Sequence, residues 1–388
     1  MKNLETTMGP LKVIFDTERS IYIHIGMYLS LYMLAMTVSS TLLLALSLFF
    51  LLASTVPVFI YNPKYYLYVV AITSLSLLFN SLFNVYPLNR LVFNHVFLMG
   101  NFILGVLILK NKICPLKISK YALVVFFTYL SVMIALSYLL GERVITLISR
   151  LQIGFSYNYI SGYIIVLGCI YLSLKVFFSK VSSKELVLSL LIFIFCFVLY
   201  GRSGILFSFL IMVILLINFM NEKYSLKYML FLTGPCVVLL FLFKDNIVDV
   251  ISMTKFGASG IESPRSILIN DYLEGLTYKS LLYGVDMRAI PSISHYNVNP
   301  HNSILNFHSS FGIFSFVWMF FIVSLFVYLL AINITAGLLL SIIILRGLLD
   351  TMIFPGPFDF LLIGVLLKFC DTSKFYLKTF RKVLNYEV

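Results

Sequence analysis

Long apolar runs separated by short polar turns make up most of the chain. Residues 20 to 61 are almost continuously apolar, about twice the roughly 20 residues that one membrane-spanning helix needs. We divide this run near Ser39 and Ser40. The other apolar runs are 65 to 84, 89 to 109, 121 to 140, 156 to 178, 186 to 200, 205 to 220, 228 to 243, 304 to 331, 334 to 349 and 357 to 370. The pattern predicts about twelve transmembrane helices.

The predicted fold class is an all-α, polytopic integral membrane protein with one long polar loop. The chain divides into N-terminal transmembrane helices (1–185), transmembrane helices with an arginine turn (186–243), the loop (244–303), and C-terminal transmembrane helices with a basic tail (304–388). Within the loop, Ser263 and Pro264 predict a helix start, Ser as N-cap and Pro as first helical residue. After them, Ile269, Tyr272, Leu273 and Leu276 form one apolar stripe at helical spacing.

Composition excludes a soluble globular protein. Hydrophobic residues make up 61% of the 388 positions and charged residues only 11%, against about 25% charged residues in soluble proteins. The net charge of +12 comes from Lys and Arg placed between the spans, not on one basic face, so nucleic acid is rejected as a partner and the lipid bilayer is expected. The five cysteines show no CxxC spacing, and neither a metal nor another cofactor is predicted.

The positions of the basic residues predict the topology. With a cytoplasmic N-terminus, 18 Lys and Arg lie on the inner side and 5 in the short outer loops. Both termini are therefore expected in the cytoplasm and the long loop outside, which in a Gram-negative cell is the periplasm. The N-terminal residues lack a cleavage site after a short apolar core, so the first span is expected to be retained as an anchor.

Arg202 lies in the turn Gly201-Arg202-Ser203-Gly204 between two short apolar runs. The fifteen residues before this turn, 186 to 200, rise about 22 Å, less than the roughly 30 Å hydrocarbon core. The turn is therefore expected to dip, with Arg202 near or below the outer membrane surface. Arg265, predicted in the first turn of the loop helix, lies on the same side. Two guanidiniums at one membrane mouth suit a diphosphate; the alternative is arginines that snorkel to lipid headgroups.

His301 and Asn302 end the long loop. A histidine titrates near ambient pH and is a candidate base for a reacting hydroxyl, with Asn302 as a substrate-orienting residue. The alternative is a loop histidine beside a helix N-cap. Arg346 is a further candidate for substrate contact, although Arg346 and Asp350, four apart, also suit an internal ion pair. His295, His301 and His308 share no close ligand spacing, so no metal site is predicted.

Taken in order, these residues resemble the O-antigen polymerase and O-antigen ligase superfamily of bacterial envelope enzymes. The resemblance rests on Gly201-Arg202-Ser203-Gly204, Ser263-Pro264-Arg265, Leu281-Leu282-Tyr283-Gly284, and His301-Asn302 followed after nine residues by Gly312. It covers about residues 186 to 332, whereas residues 1 to 185 match only by hydropathy. Ser315 stands where the family's motif usually has Gly, Thr or Tyr.

The resemblance implies a metal-independent glycosyltransferase of the inner membrane that polymerises O-antigen repeat units. A growing glycan would pass from undecaprenyl diphosphate to the non-reducing end of another lipid-linked repeat at the periplasmic face. Arg202 and Arg265 would then bind the donor diphosphate, and His301 would act as base. The apolar spans, with the N-terminal helices of residues 1–185, would provide the lipid groove for two prenyl tails. A chain-length regulator protein is a further candidate partner.

Three alternatives stay open. A ligase would transfer the same glycan to lipid A core, and the departure at Ser315 argues against the stricter ligase pattern. A lipid-linked oligosaccharide flippase would show charged residues distributed through several helices. A structural or chain-length regulator would have fewer spans and a coiled periplasmic domain, and the loop has no sustained heptad.

Overall fold

The structure, a computed structural model, describes residues 18–83, 87–151, 156–223, 265–295 and 298–384. Within these residues all regular structure is helical. The α-helices are α1 (Glu18–Val38), α2 (Thr41–Tyr61), α3 (Pro63–Phe83), α4 (Leu88–Leu109), α5 (Pro115–Leu140), α6 (Val144–Leu151), α7 (Tyr157–Phe178), α8 (Ser183–Val198), α9 (Arg202–Lys223), α10 (Arg265–Glu274), α11 (Tyr278–Tyr283), α12 (Pro291–His295), α13 (Ser303–Phe311), α14 (Ile313–Ile332), α15 (Ile334–Gly347) and α16 (Asp359–Leu384).

Eight of the described helices, α1 to α5, α7, α9 and α14, are long and apolar enough to cross a membrane. The chain is therefore a polytopic membrane protein. The division of the first apolar run is confirmed: α1 ends at Val38 and α2 begins at Thr41, with the Ser40 hydroxyl accepting from the N–H of Leu43. Helices α8 and α15 are shorter, at 16 and 14 residues. The span predicted over 228 to 243 lies outside the described residues.

The prediction of one continuous span over 304 to 331 is wrong. Gly312 interrupts the helix and separates α13 from α14. Its φ of +52° lies in the left-handed region that favours glycine. A Cβ at this position would also approach the backbone of the 281–284 segment, with the carbonyl carbon of Tyr283 only 2.8 Å away. The apolar pattern continues through the break because both helices have a buried face, so hydropathy alone could not locate it.

The described part of the loop has a small hydrophobic core of its own. Leu268 and Tyr272 of α10 pack with Met287 and Ile293, and all four side chains are buried. The predicted stripe is wrong at Leu273, which is 52% exposed. The spacing of apolar residues shows that a segment is helical. It does not decide which of two adjacent rows of apolar side chains on that helix packs against Met287 and Ile293. The predicted helix start at Ser263 and Pro264 lies outside the described residues.

The centre of the bundle consists of α4, α7, α15 and the first half of α16. Helix α7 is buried almost continuously from Ile160 to Leu174. Helices α4 and α16 approach closely where two glycines meet, since a Cβ on Gly105 would lie 3.2 Å from the backbone nitrogen of Gly364. Between α15 and α16, residues 348 to 358 form a non-helical segment inside this core. This segment supplies the centre of the site described below.

We expect Gly312→Ala to lower the thermal stability of the purified protein measurably. The substitution forces a Cβ into a left-handed backbone, which costs roughly 1–2 kcal/mol, and presses it against the 281–284 segment. Gly141→Ala is the matched control, because Gly141 also has a positive φ, +66°, but has open space around its Cβ position. The measurement is the unfolding temperature of each purified variant in detergent. Equal decreases for Gly312→Ala and Gly141→Ala would show that the close contact at Gly312 contributes nothing.

Candidate functional site

The side chain of Asp350 lies at the centre of a cluster of basic groups. Its carboxylate is 3.6 Å from Nδ1 of His301, 3.7 Å from Nη2 of Arg346 and 4.0 Å from Nη2 of Arg265. Only 2% of the Asp350 side chain is exposed, whereas Arg265 and His301 are 24% and 29% exposed. One buried anion is therefore shared by three basic groups from different parts of the chain.

The electrostatics of this carboxylate are set by its neighbours. Burial by itself raises the pKa of Asp350, but His301, Arg346 and Arg265 together lower it below its ordinary value. The ionised form is therefore the stable one at neutral pH. Because each of the three ion-pair distances is longer than a direct hydrogen bond, no single partner holds the carboxylate exclusively.

Arg202 and Arg265, predicted on the same side of the membrane, come within electrostatic reach of each other. Arg202 is the first residue of α9, and Arg265 is the first described residue of α10. Burial lowers the pKa of Arg265, the charge of Asp350 raises it, and the charge of Arg202 lowers it again. Two guanidiniums separated by 63 positions in the sequence therefore share one electropositive region.

Helix lengths place Arg346 deeper than Arg202. The side-chain amide of Asn218 in α9 donates to the hydroxyl of Thr335 in α15 at 2.8 Å, so these two residues lie at one level. From that level Arg202 is 16 residues away and Arg346 is 11 residues away, which corresponds to rises of about 24 Å and about 17 Å. By this estimate Arg346 lies roughly 7 Å closer than Arg202 to the level of Asn218 and Thr335, and its side chain is fully buried.

Two glycines bring the Arg202 turn against α7. A Cβ on Gly201 would lie 2.8 Å from the side-chain oxygen of Asn158, and one on Gly204 would lie 3.1 Å from Ser161. The backbone carbonyl of Asn158 also accepts a hydrogen bond from Nη2 of Arg346 at 3.0 Å. The N-terminal turn of α7 therefore positions both arginines, which explains why small residues flank Arg202.

Asn299 holds the turn that presents His301. Its side-chain oxygen accepts from the N–H of His301 at 2.8 Å and from the Thr351 hydroxyl at 3.3 Å, while its amide donates to the Tyr159 hydroxyl at 3.1 Å. His301 and Val298 both have left-handed backbones, with φ of +49° and +60°. Such conformations cost about 1–3 kcal/mol each and persist only where surrounding contacts fix them. Sequence reasoning assigned no role to Asn299 or Tyr159.

The residues after His301 anchor α13. The side-chain oxygen of Asn302 accepts from the N–H groups of Ile304 and Leu305, so Asn302 is the N-cap of α13, and its substrate-orienting role stays a prediction. The Ser303 hydroxyl donates to the backbone carbonyl of Asp350 at 2.7 Å and accepts from the N–H of Met352 at 2.9 Å. The start of α13 is therefore fixed directly to the segment that carries Asp350.

His308 has structural contacts within the described residues. Its Nδ1 lies 2.7 Å from the Tyr272 hydroxyl of α10, and its Nε2 lies 3.0 Å from the carbonyl of Leu281. These contacts, with the packing of Gly312 on the 281–284 segment, fasten the loop to α13. The Leu281–Gly284 motif and the motif that runs from His301 to Gly312 therefore contact each other. His295, at the end of α12, is exposed.

The main residue that sequence reasoning undervalued is Asp350. Its spacing of four from Arg346 predicted an ion pair, and that pair is confirmed at 3.7 Å. The approach of His301 and Arg265 to the same carboxylate had no sequence signal, because these residues are 49 and 85 positions away from Asp350. Among the described residues, no three His, Cys, Asp or Glu side chains are grouped to hold a metal ion.

Comparison of the chain with family models, with curated proteins and with solved structures gives no match.

We expect Asp350→Asn to destabilise the protein by several kcal/mol, since removing one partner of a buried ion pair costs about 3–5 kcal/mol. The neutral amide leaves Arg346 buried without a counter-charge. Adding Arg346→Met should recover part of this loss, and thermal unfolding in detergent measures both changes. Glu142→Gln, which breaks the exposed pair with Arg150, is the control and should cost less than about 1 kcal/mol. A double variant no more stable than Asp350→Asn would contradict the coupling.

Proposed function

We propose that the protein is a polymerase of lipid-linked O-antigen repeat units. It transfers the growing glycan from undecaprenyl diphosphate to the non-reducing end of another lipid-linked repeat at the periplasmic face. The observation that supports this proposal best is the gathering of Arg265, Arg346 and His301 around the single carboxylate of Asp350, with Arg202 within electrostatic reach of Arg265.

The charge of the cluster fits a diphosphate. Three guanidiniums and one carboxylate leave the site positive even with His301 neutral. Planar guanidiniums bind phosphate oxygens in bidentate fashion and stay charged when they are partly desolvated. In the transition state the breaking glycosidic bond leaves its electron pair on the diphosphate. Arg202 and Arg265 would stabilise that developing charge, as cationic groups do in other phosphate chemistry.

His301 is proposed as the base that activates the acceptor hydroxyl. Its Nδ1 faces Asp350, so the carboxylate orients the ring and stabilises the imidazolium, and Nε2 receives the proton. The hydroxyl oxygen then bonds to the anomeric carbon while the bond from that carbon to the diphosphate breaks. The products are an extended lipid-linked glycan and undecaprenyl diphosphate, and the proton resides on His301 until solvent removes it.

Arg346 would contribute from its buried position next to Asp350. Among the described residues no hydrogen-bond partner is found for its Nε and Nη1, although the side chain is fully buried. Buried donors without partners cost about 1–3 kcal/mol each. A diphosphate oxygen reaching this depth would satisfy such a donor, which is consistent with a substrate-orienting role. Asn302 would orient the substrate through its side-chain NH₂ group, since its side-chain oxygen caps α13.

In the proposed topology twelve helices cross the inner membrane and both termini are cytoplasmic. The loop and the Asp350 cluster then face the periplasm, where lipid-linked repeats are presented. Guanidinium groups, not a divalent cation, face the leaving group, and no cofactor is invoked. The bilayer and the carrier lipid are the essential partners, and a chain-length regulator protein would act on the product length.

A ligase that uses the same donor remains the second candidate, because the acceptor alone distinguishes it. The positions of the buried charged side chains argue against the third candidate, a flippase. Among the described residues the buried charged side chains are Arg346, Asp350 and Asp359, which lie in one segment, and Glu185 at the start of α8. A transport path would place charged groups along several helices.

We expect alanine at Arg202, Arg265 or His301 to remove the long-chain ladder of lipopolysaccharide while leaving core capped with one repeat. With purified protein and lipid-linked repeats, loss of one charged donor should reduce turnover about 10²-fold or more. Arg288→Ala is the matched control, because Arg288 lies in the same loop but its guanidinium pairs with Asp286 and not with Asp350. Loss of the single-repeat band as well would favour the ligase, and three normal ladders would refute the site.

We expect Arg202→Lys to shorten the polymer at normal protein abundance. Lysine keeps the charge but loses the planar fork, so a diphosphate clamp is impaired, whereas an arginine that only snorkels to headgroups would tolerate the change. The assay is the same polymerisation reaction, and addition of a chelator should leave wild-type turnover unchanged. Full activity of the lysine variant would assign Arg202 to the membrane interface, and loss of activity on chelation would indicate a required divalent ion.

We expect a cysteine at position 278 to react with a membrane-impermeant maleimide in whole cells, and one at position 180 to remain unlabelled. Tyr278 is 91% exposed and lies in the loop, and Lys180 is exposed in the turn before α8. The native cysteines are replaced by serine in both variants. Labelling at 180 with no reaction at 278 would invert the topology.

A further inference from the structure

Three side chains form a closed ring of hydrogen bonds beside the His301 turn. The Asn299 amide donates to the Tyr159 hydroxyl at 3.1 Å, and the Thr351 hydroxyl donates to the Asn299 oxygen at 3.3 Å. The hydroxyls of Tyr159 and Thr351 lie 2.7 Å apart, which closes the ring. The members come from α7, the turn before α13 and the segment after α15. The ring therefore joins parts of the chain that are at least 52 positions apart.

The direction of each hydrogen bond in the ring follows from its neighbours. The backbone N–H of His301 can only donate, so the side-chain atom of Asn299 that faces it at 2.8 Å is the oxygen. The amide nitrogen of Asn299 is therefore the atom that faces Tyr159. Since Thr351 gives its single hydroxyl proton to Asn299, Tyr159 gives its own proton to Thr351. Removing one hydroxyl therefore takes a partner from each of the other two members.

Thr351 connects this ring to the carboxylate of Asp350. Its backbone N–H donates to Oδ1 of Asp350 at 3.1 Å. The same oxygen lies 3.6 Å from Nδ1 of His301. Thr351 thus contacts the anion through its backbone and the histidine turn, by way of Asn299, through its side chain. The ring consequently relates the backbone of His301 to the carboxylate that its imidazole faces.

Consecutive residues of α7 hold both halves of the site. The hydroxyl of Tyr159 belongs to the ring that fixes the His301 turn. The backbone carbonyl of Asn158, one residue earlier, accepts from Nη2 of Arg346. The first turn of one helix therefore sets the position of the histidine relative to a guanidinium of the cluster.

We propose that Tyr159 and Thr351 are positioning residues, which act through Asn299 to hold His301 against Asp350 for proton transfer. This inference rests on the proposed function and adds two residues that act through the base. The left-handed backbone of His301 persists only where surrounding contacts fix it. Because a misplacement of about 1 Å can cost about 10²-fold in rate, loss of the ring should lower kcat. The KM should stay unchanged, since the arginines that would bind the donor are retained.

The chain offers variants that change one hydroxyl at a time. Thr351→Val removes the hydroxyl and keeps the shape of the side chain, whereas Thr351→Ser keeps the hydroxyl. Tyr159→Phe removes only the phenolic oxygen. Thr73→Val is the matched control, because Thr73 is also buried but its hydroxyl donates to the carbonyl of Val69 in its own helix, α3.

The first measurement is steady-state turnover of lipid-linked repeats by purified full-length protein in nanodiscs. Thr351→Val and Tyr159→Phe should each lower kcat by about 10- to 100-fold at unchanged KM. Thr351→Ser and Thr73→Val should retain the wild-type kcat.

A double-mutant cycle separates positioning of the base from a general structural role. Added to His301→Ala, Thr351→Val should cause no further loss of the residual turnover, because the group that it positions is already absent. Added to Arg202→Ala, it should cause its full loss. Equal losses in both backgrounds, or a normal kcat in both Thr351→Val and Tyr159→Phe, would overturn the positioning role.

Hydrogen exchange provides a readout that does not require activity. The N–H of His301 is held by Asn299, so a peptide spanning 298 to 303 should exchange faster in Thr351→Val and Tyr159→Phe. It should exchange at the wild-type rate in Thr351→Ser. Unchanged exchange in the first two variants would overturn the ring as the device that fixes His301. A wild type without turnover that shows the expected exchange pattern would refute the polymerase and support the hold of the ring on His301.

Discussion

The described site depends on the electrostatic attraction between the buried carboxylate of Asp350 and the basic groups around it. Arg265, Arg346 and His301 come from separate parts of the chain and meet at this single anion. Positive groups repel strongly where the dielectric constant is low, so they cannot gather there without a counter-charge. The shared anion lets the loop helix, the turn before α13 and the end of α15 converge on one point. The remaining hydrogen bonds, through Asn299 and Ser303, orient these segments around it.

Short helices create the space in which this convergence occurs. Helix α15 has 14 residues and α8 has 16, fewer than the roughly 20 needed to span the hydrocarbon core. After α15 the chain leaves regular helix, and residues 348 to 358, which carry Asp350, form a non-helical segment.

The sequence located several parts of the structure through local signals. Helix boundaries followed hydropathy, as at Ser39 and Ser40, and the i,i+4 spacing of Arg346 and Asp350 predicted their ion pair. Local signals failed where two alternative structures, such as a continuous and an interrupted helix, have the same apolar pattern. The break at Gly312 depends on the approach of the 281–284 segment, and that contact is not encoded in the run of apolar residues around it. The buried face of α10 was displaced from the predicted stripe for the same reason.

By itself, the sequence determined the membrane character of the protein, its helical class, and Arg202, Arg265 and His301 as candidate site residues, because composition, periodicity and motif spacing are local properties. Tertiary structure decided that Asp350 is the common partner of Arg265 and His301 and that Asn299 fixes the histidine turn. These features arise from contacts between residues far apart in the chain. Each depends on which helices pack together and at what depth, and packing depth is a property of the assembled bundle.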